Sequence, residues 1–132
     1  MNMTSAHTSP DQLTARFGKD GRMQVHSVAP FNLESSLDLL ADAITPIEHF
    51  FLRNNHAIPM LAPVEWALTI DGHVQRPFTL SYAELRELPA VSMVAFLECY
   101  GNGRKRFAEQ GQQTEGLPWR NGAIGRSCPF IE

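Results

Sequence analysis

An apolar, strand-forming run that ends on a cysteine and opens at once into glycines is the strongest constraint in this chain. Val91-Ser92-Met93-Val94-Ala95-Phe96-Leu97 leads through Glu98 to Cys99, and Tyr100-Gly101-Asn102-Gly103-Arg104 follows. A strand end fixes where the sulfur sits, and glycines let backbone approach a bulky ligand closely. Arg104 adds a planar fork of donors suited to an oxyanion. A soft thiolate beside an anion-binding group suits a metal site better than a disulfide. Taken alone, Cys99 also fits the ordinary fate of a free cysteine, a small buried apolar side chain.

The remaining chain supplies the frame for that loop. With 132 residues, 43% hydrophobic and 19% charged, it has the composition of a folded domain and not of a disordered tract. A net charge of -3 argues against nucleic acid as the main partner, because neutralising phosphates needs a basic surface. No apolar run reaches the ~18 residues of a membrane-spanning helix. Residues 1–20 are polar, with Ser, Thr, Gly and Pro, and read as a flexible lead; 21–132 reads as one domain.

Within 21–132 the signals are short. Apolar residues at Leu33, Leu37, Leu40 and Ile44 have a helical period, which predicts a short helix over 33–43. His49 to Arg53 is aromatic and strand-favouring. Trp66 to Ile70, then Asp71-Gly72, then His73-Val74 predicts a hairpin. Ser81-Tyr82-Ala83-Glu84 has capping-box spacing and starts a helix ending before Pro89. Val91 to Leu97 is a strand, and 101–118 reads as loop. The fold class expected is α+β, a mixed sheet with short helices and functional groups on connecting loops.

Three ordered blocks give the chain its family likeness. Cys99-Tyr100-Gly101-Asn102-Gly103-Arg104 resembles the C-x-G-N-x-R loop of the sulfite oxidase group of molybdenum cofactor enzymes. Upstream, Phe50-Phe51-Leu52-Arg53-Asn54-Asn55-His56-Ala57-Ile58-Pro59 is similar to that family's F-[FY]-x-R-N-H-x-x-x-P segment. Downstream, Gly116-Leu117-Pro118-Trp119-Arg120-Asn121-Gly122-Ala123-Ile124 resembles G-L-x-W-x-x-G-A-[IV]. With the lead-in Pro30-Phe31-Asn32-Leu33-Glu34, the likeness runs over roughly 20–126.

The resemblance implies a molybdenum-molybdopterin cofactor with Cys99 as the metal ligand and Phe51, Arg53, Asn54 and Asn55 in the cofactor-binding segment. It implies Arg53 and Arg104 in an anion pocket for sulfite or another small sulfur oxyanion. Trp119 matches a pocket-wall tryptophan, and a core aromatic is nearly as good a reading. Asn55 stands where the family has a histidine, and it still offers hydrogen-bond donors to a pterin or phosphate oxygen. Oxygen-atom transfer to sulfite would send electrons to an external acceptor, and no C-x-x-C-H haem attachment motif occurs.

Beyond Gly125 the family continues and this sequence ends within seven residues, so the expectation is a front portion without the C-terminal dimerisation domain. Such a chain is not expected to oxidise sulfite unaided, and the alternative reading is a non-catalytic remnant or interaction module. The amino terminus shows no signal peptide or twin arginine, which reads as cytoplasmic; a start codon set elsewhere would allow a periplasmic protein. Nothing around Cys128 suggests a role, and in a reducing compartment its pairing with Cys99 is improbable.

Overall fold

The structure, a computed structural model, describes residues 9–127 and 130–131. Cys128 lies outside the described residues, and Cys99 is a free thiol. The elements are short and of both kinds, as the α+β expectation has it. Among the described residues each of the four ladders is an antiparallel pair of strands. Two of these pairs, Gln24–Val28 with Phe31–Glu34 and Ala67–Ile70 with Phe78–Ser81, are joined by short local connections, which favour antiparallel pairing. The described residues group into two compact units. One comprises the described chain up to Ile58 together with Val94–Ser127, and the other is built on Pro59–Met93.

In the first unit, the expected flexible lead is a helix over part of its length. α1 spans Pro10–Arg16, with Pro10 at its first turn and Ser9 as N-cap. The Ser9 hydroxyl accepts from the Gln12 amide at 3.2 Å, and the Gln12 side chain accepts from the Ser9 amide at 2.8 Å. This reciprocal cap satisfies two donors that a helix start otherwise leaves orphaned. Leu13 and Phe17 then pack on a core of Met23, Phe31, Leu33 and Leu39.

β1 (Gln24–Val28) and β2 (Phe31–Glu34) form an antiparallel pair with a bulge between Val25 and Ser27. His26 is the extra residue, since Val25 faces Leu33 and Ser27 faces Asn32. β2 is buried throughout. Its two faces alternate, as the strand period requires: Phe31 and Leu33 enter the apolar core, while Asn32 and Glu34 belong to the opposite face. Leu33 also exchanges backbone hydrogen bonds with Leu52, at 3.0 and 2.9 Å, so β2 is held on both edges. The helix expected over 33–43 therefore shrinks to one 3-10 turn, Leu37–Leu40, because sheet pairing claims Leu33 and Glu34. The strand expected at His49–Arg53 is reduced to that single bridge at Leu52, after a 3-10 turn at Ile47–His49.

The second unit contains β3 (Ala67–Ile70) and β4 (Phe78–Ser81), paired from Ala67–Ser81 to Ile70–Phe78. The hairpin is present, but its return strand is β4 and not His73-Val74. The Val74 amide turns back onto the Gly72 carbonyl at 2.9 Å, and Pro77 has no amide to give a ladder. Ser81 caps α2 (Tyr82–Arg86) through the expected box with Glu84. The strand expected over Val91–Leu97 breaks into β5 (Val91–Ser92), in this unit, and β6 (Ala95–Glu98), in the first. β5 pairs with β8 (Phe130–Ile131), and β6 pairs with β7 (Ile124–Ser127).

Candidate functional site

β6 delivers Cys99 as the sequence pattern implies. Its partner β7 runs from Ala95–Ser127 to Glu98–Ile124, and one further bond, from the Cys99 amide to the Ala123 carbonyl at 2.8 Å, extends the ladder past its end. Cys99 is thus fixed at the last rung. The Asn102 amide closes a turn onto the Cys99 carbonyl at 2.8 Å. The Asn102 side chain donates to Glu98 at 2.8 Å and accepts from the Ala123 amide at 3.1 Å. Asn102 therefore ties the cysteine loop to the Asn121–Ala123 segment from both sides.

Gly103 caps the following helix with φ +80°, a left-handed conformation that a side chain would strain. α3 spans Arg104–Glu109 inside the stretch read as loop. Its sequence, Arg-Lys-Arg-Phe-Ala-Glu, consists mainly of good helix formers, and Gly111 follows at φ +79°. Arg104 turns its guanidinium back over the loop. A β-carbon on Gly101 would lie 2.7 Å from it, and one on Gly116 would collide with it as well. These glycines exist here as room for the arginine. Its Nη1 donates to the Leu117 carbonyl at 3.2 Å, which leaves the other guanidinium donors uncommitted among the described side chains.

Behind the loop lies a second apolar cluster of Phe51, Trp119 and Ala123, with Phe50, Leu117 and the half-buried Cys99 packed on it. Trp119 is 0% exposed. It sits in this chain as a core aromatic, the second of its two readings, with its indole edge-on to Phe51. Its Nε1–H has no partner among the described groups. The Trp119 carbonyl accepts from the Lys105 amide at 3.0 Å, so α3 leans on the same segment. In front of Cys99 an open concavity of about 540 Å³ is lined by Phe96, Leu97, Glu98, Cys99, Tyr100 and Asn102.

Of the residues singled out from sequence, Phe51, Cys99 and Trp119 come together in one cluster, and Arg104 joins them through Leu117. The Arg53–Asn55 segment takes a different place. Asn54 is used by the fold: its amide donates to the Asn32 side chain and its side chain to the Phe31 carbonyl, both at 2.7 Å. Arg53 is exposed, donating to the Asn54 carbonyl and, at 2.6 Å, to the Asn55 side chain. The Asn55 amide oxygen is thereby occupied, and its amide nitrogen is the group left for a ligand.

Sequence reasoning missed a buried pair. His26 Nε2 lies 2.6 Å from the Glu34 carboxylate, the two side chains 4% and 3% exposed. The other Glu34 oxygen accepts from the backbone amides of Arg120 at 2.8 Å and Gly122 at 2.7 Å. Burial pushes the Glu34 carboxyl up, but the His26 bond and the two amides outweigh it and hold it below the ordinary carboxylate value. The His26 ring stands edge-on to Trp119, centroids 4.8 Å apart. The only sequence signal was a glutamate at the end of an apolar strand in the Pro30–Glu34 block.

Among the described residues no three His, Cys, Asp or Glu side chains stand close enough to share a metal ion, and no helix is long and apolar enough to cross a membrane. The family described as the oxidoreductase molybdopterin binding domain matches residues 55–128. The sulfite oxidase of Gallus gallus is 40% identical over 104 residues, covering 77% of this chain and 22% of its own length. A nitrate reductase of Ulva prolifera is 34% identical over 97 residues, covering 72% of this chain and 11% of its own. Among solved structures, the sulfane dehydrogenase SoxCD of Paracoccus pantotrophus superposes with a TM-score of 0.63 at 25% identity, covering 96% of this chain and 33% of that one. The chain thus spans a third or less of the relatives it matches, and it belongs to the molybdopterin-binding oxidoreductase domain family of sulfite oxidase type.

Proposed function

We propose that this chain carries the cysteine side of a molybdenum-pterin site that oxidises a small sulfur oxyanion such as sulfite. The observation that carries the reading is the placement of Cys99. One half-buried thiol is fixed at a strand end, faces an open concavity, and is backed by an apolar cluster. A lone thiol cannot complete a zinc or iron site of the all-protein kind. It fits a metal that arrives with most of its ligands already attached, and a thiolate is the soft donor such a metal takes. The donor set therefore fits the group that the family's name implies.

When bound, the cofactor would supply the two-electron redox and oxygen-transfer chemistry. The chain's own contribution is to hold and orient. Cys99 gives the protein sulfur. Asn102 and Ala123 fix the backbone on either side of it, so the sulfur does not have to be ordered when the cofactor arrives. Arg104 brings uncommitted guanidinium donors for the anion, and Arg53 offers a second, exposed guanidinium. The apolar wall of Phe51, Trp119 and Leu117 lowers the local dielectric behind the thiol, which strengthens whatever charge interactions form there.

The test is metal content. The chain is co-produced with the cofactor, purified, and its molybdenum measured against protein for the parent, Cys99→Ser and Cys128→Ser. Replacing the soft donor with a normally protonated oxygen should abolish most of the metal in Cys99→Ser and none in Cys128→Ser. Undiminished molybdenum with an unchanged absorption spectrum in Cys99→Ser would remove this thiol from the coordination sphere.

A further inference from the structure

We infer that Glu34 is a positioning residue for Cys99, acting from the far side of the Arg120–Ala123 segment. The inference rests on the reading of Cys99 as the sulfur the protein holds ready for the metal. The connection is a short sequence of bonds. Glu34 accepts from the amides of Arg120 and Gly122; the residue after Gly122 is Ala123; and Ala123 holds the Cys99 amide through its carbonyl and the Asn102 side chain through its amide. The segment is gripped from behind by one carboxylate and carries the thiol in front.

Three features indicate that this grip is built and not incidental. His26, the partner that steadies the second carboxylate oxygen, is the extra residue of the β1–β2 bulge. Bulges re-aim side chains, and this one leaves a histidine buried against Glu34 and Trp119. Gly122 has no room for a β-carbon, which would collide with the Ser35 carbonyl. Backbone therefore meets backbone where the carboxylate reaches its amides, and the Ser35 amide adds a bond to the Gly122 carbonyl at 3.2 Å. Finally, the carboxylate bridges amides two residues apart, so it sets the curvature of the segment as well as its position.

The experiment reads the thiol directly and needs no cofactor. In a Cys128→Ser background, Cys99 is alkylated with iodoacetamide, a neutral probe, in the parent and in Glu34→Asp, Glu34→Gln and Leu39→Ala. Aspartate keeps the charge but is one methylene too short to reach both amides, and alkylation should quicken about tenfold, the effect of losing one ordinary hydrogen bond. Glutamine keeps an acceptor oxygen at the same reach and should stay within about twofold of the parent. Leu39→Ala loosens the other apolar cluster and should leave the rate unchanged, which a general loss of stability would not.

A parental rate in Glu34→Asp, a fast rate in Glu34→Gln, or a fast rate in Leu39→Ala each overturns the inference. Amide exchange on the unmutated protein gives a second reading that requires no variant to fold. The amides of Arg120, Gly122, Ala123 and Cys99 should open together as one unit. Opening of Arg120 and Gly122 while Cys99 stays protected would break the linkage. Molybdenum retained by Cys99→Ser would instead overturn the proposed function, since neither alkylation nor exchange involves the metal.

Discussion

β2 and β6 are both four-residue antiparallel strands, one ending at Glu34 and the other leading into Cys99, yet they live in opposite environments. β2 is buried along its whole length and held on both edges, by β1 and by Leu52. β6 has one half-buried residue followed by three exposed ones, with Phe96 at 69% and Leu97 at 59% exposure. Tyr100, just beyond Cys99, is fully exposed. The contrast separates two tasks. β2 and the residues it grips form a frame in which the Asn32 and Glu34 side chains find their partners within the fold. β6 presents a rim whose apolar side chains have no cover among the described residues. Frame residues should govern stability and rim residues should govern what docks there.

The largest effect should come from the frame's apolar part. Trp119→Ala removes a fully enclosed indole and should cost about 3–5 kcal/mol, and Leu33→Ala about 2–5 kcal/mol. Urea unfolding would show both as lower midpoints at unchanged slope. A loss below about 1 kcal/mol for Trp119→Ala would mean that this cluster is not a core, and the distinction between frame and rim would fail.

Next in size is the proposed anion pocket, where stability and function should part. Among the described residues Arg104 makes one side-chain bond, to Leu117, so Arg104→Ala should barely move the unfolding midpoint. In a polypeptide that turns over sulfite, the same change should lower kcat/KM about tenfold to a hundredfold, the worth of a charge-assisted hydrogen bond. Wild-type kinetics would make Arg104 a rim charge without a ligand. Arg53→Ala, on an exposed side chain bonded to its neighbours Asn54 and Asn55, sharpens the same test.

How much of this division could be read from sequence depends on whether the signal was local. The Ser81 capping box was legible because the cap and its Glu84 partner are three residues apart. Cys99 at a strand end was legible because the apolar run and the glycines adjoin it. The Leu33–Ala43 helix was misread because its period is real, but tertiary pairing took Leu33 and Glu34 into β2. α3 was missed because glycines at both ends suggested loop, while its own six residues favour helix. The Glu34 grip was invisible for a different reason. Its partners lie 86 and 88 residues away and are backbone amides, which carry no side-chain signature at all.

The Glu34 carboxylate also gives the frame a pH dependence. Its folded pKa is lowered, so its contribution to stability is complete above the unfolded value of about 4.3. That contribution should be lost as pH falls through the ordinary carboxylate range and below, because the unfolded carboxyl takes up a proton more readily than the folded one, which is held by His26 and two amides. Glu34→Gln should flatten this acid limb while leaving stability at neutral pH within about 1–2 kcal/mol of the parent. An acid limb as steep in the glutamine variant as in the parent would place the responsible carboxylate elsewhere, with Asp20, held below its usual range by Arg22, the next to examine.

The smallest effect on stability belongs to the rim. Phe96 pairs with Arg126 through backbone, but its ring meets water over most of its surface, so Phe96→Ser should change unfolding free energy by only about 0.5 kcal/mol or less. The same substitution should change what the surface attracts. Phe96 and Leu97 line the concavity with Cys99 and Tyr100, and a patch of that character binds dyes that report exposed apolar surface. Dye fluorescence should fall in Phe96→Ser and fall further with Leu97→Ser added, at unchanged unfolding midpoint. A midpoint lowered in step with the fluorescence would show the ring to be enclosed in solution. β6 would then be a second framed strand, and Cys99 would sit in a closed core and not at an open edge.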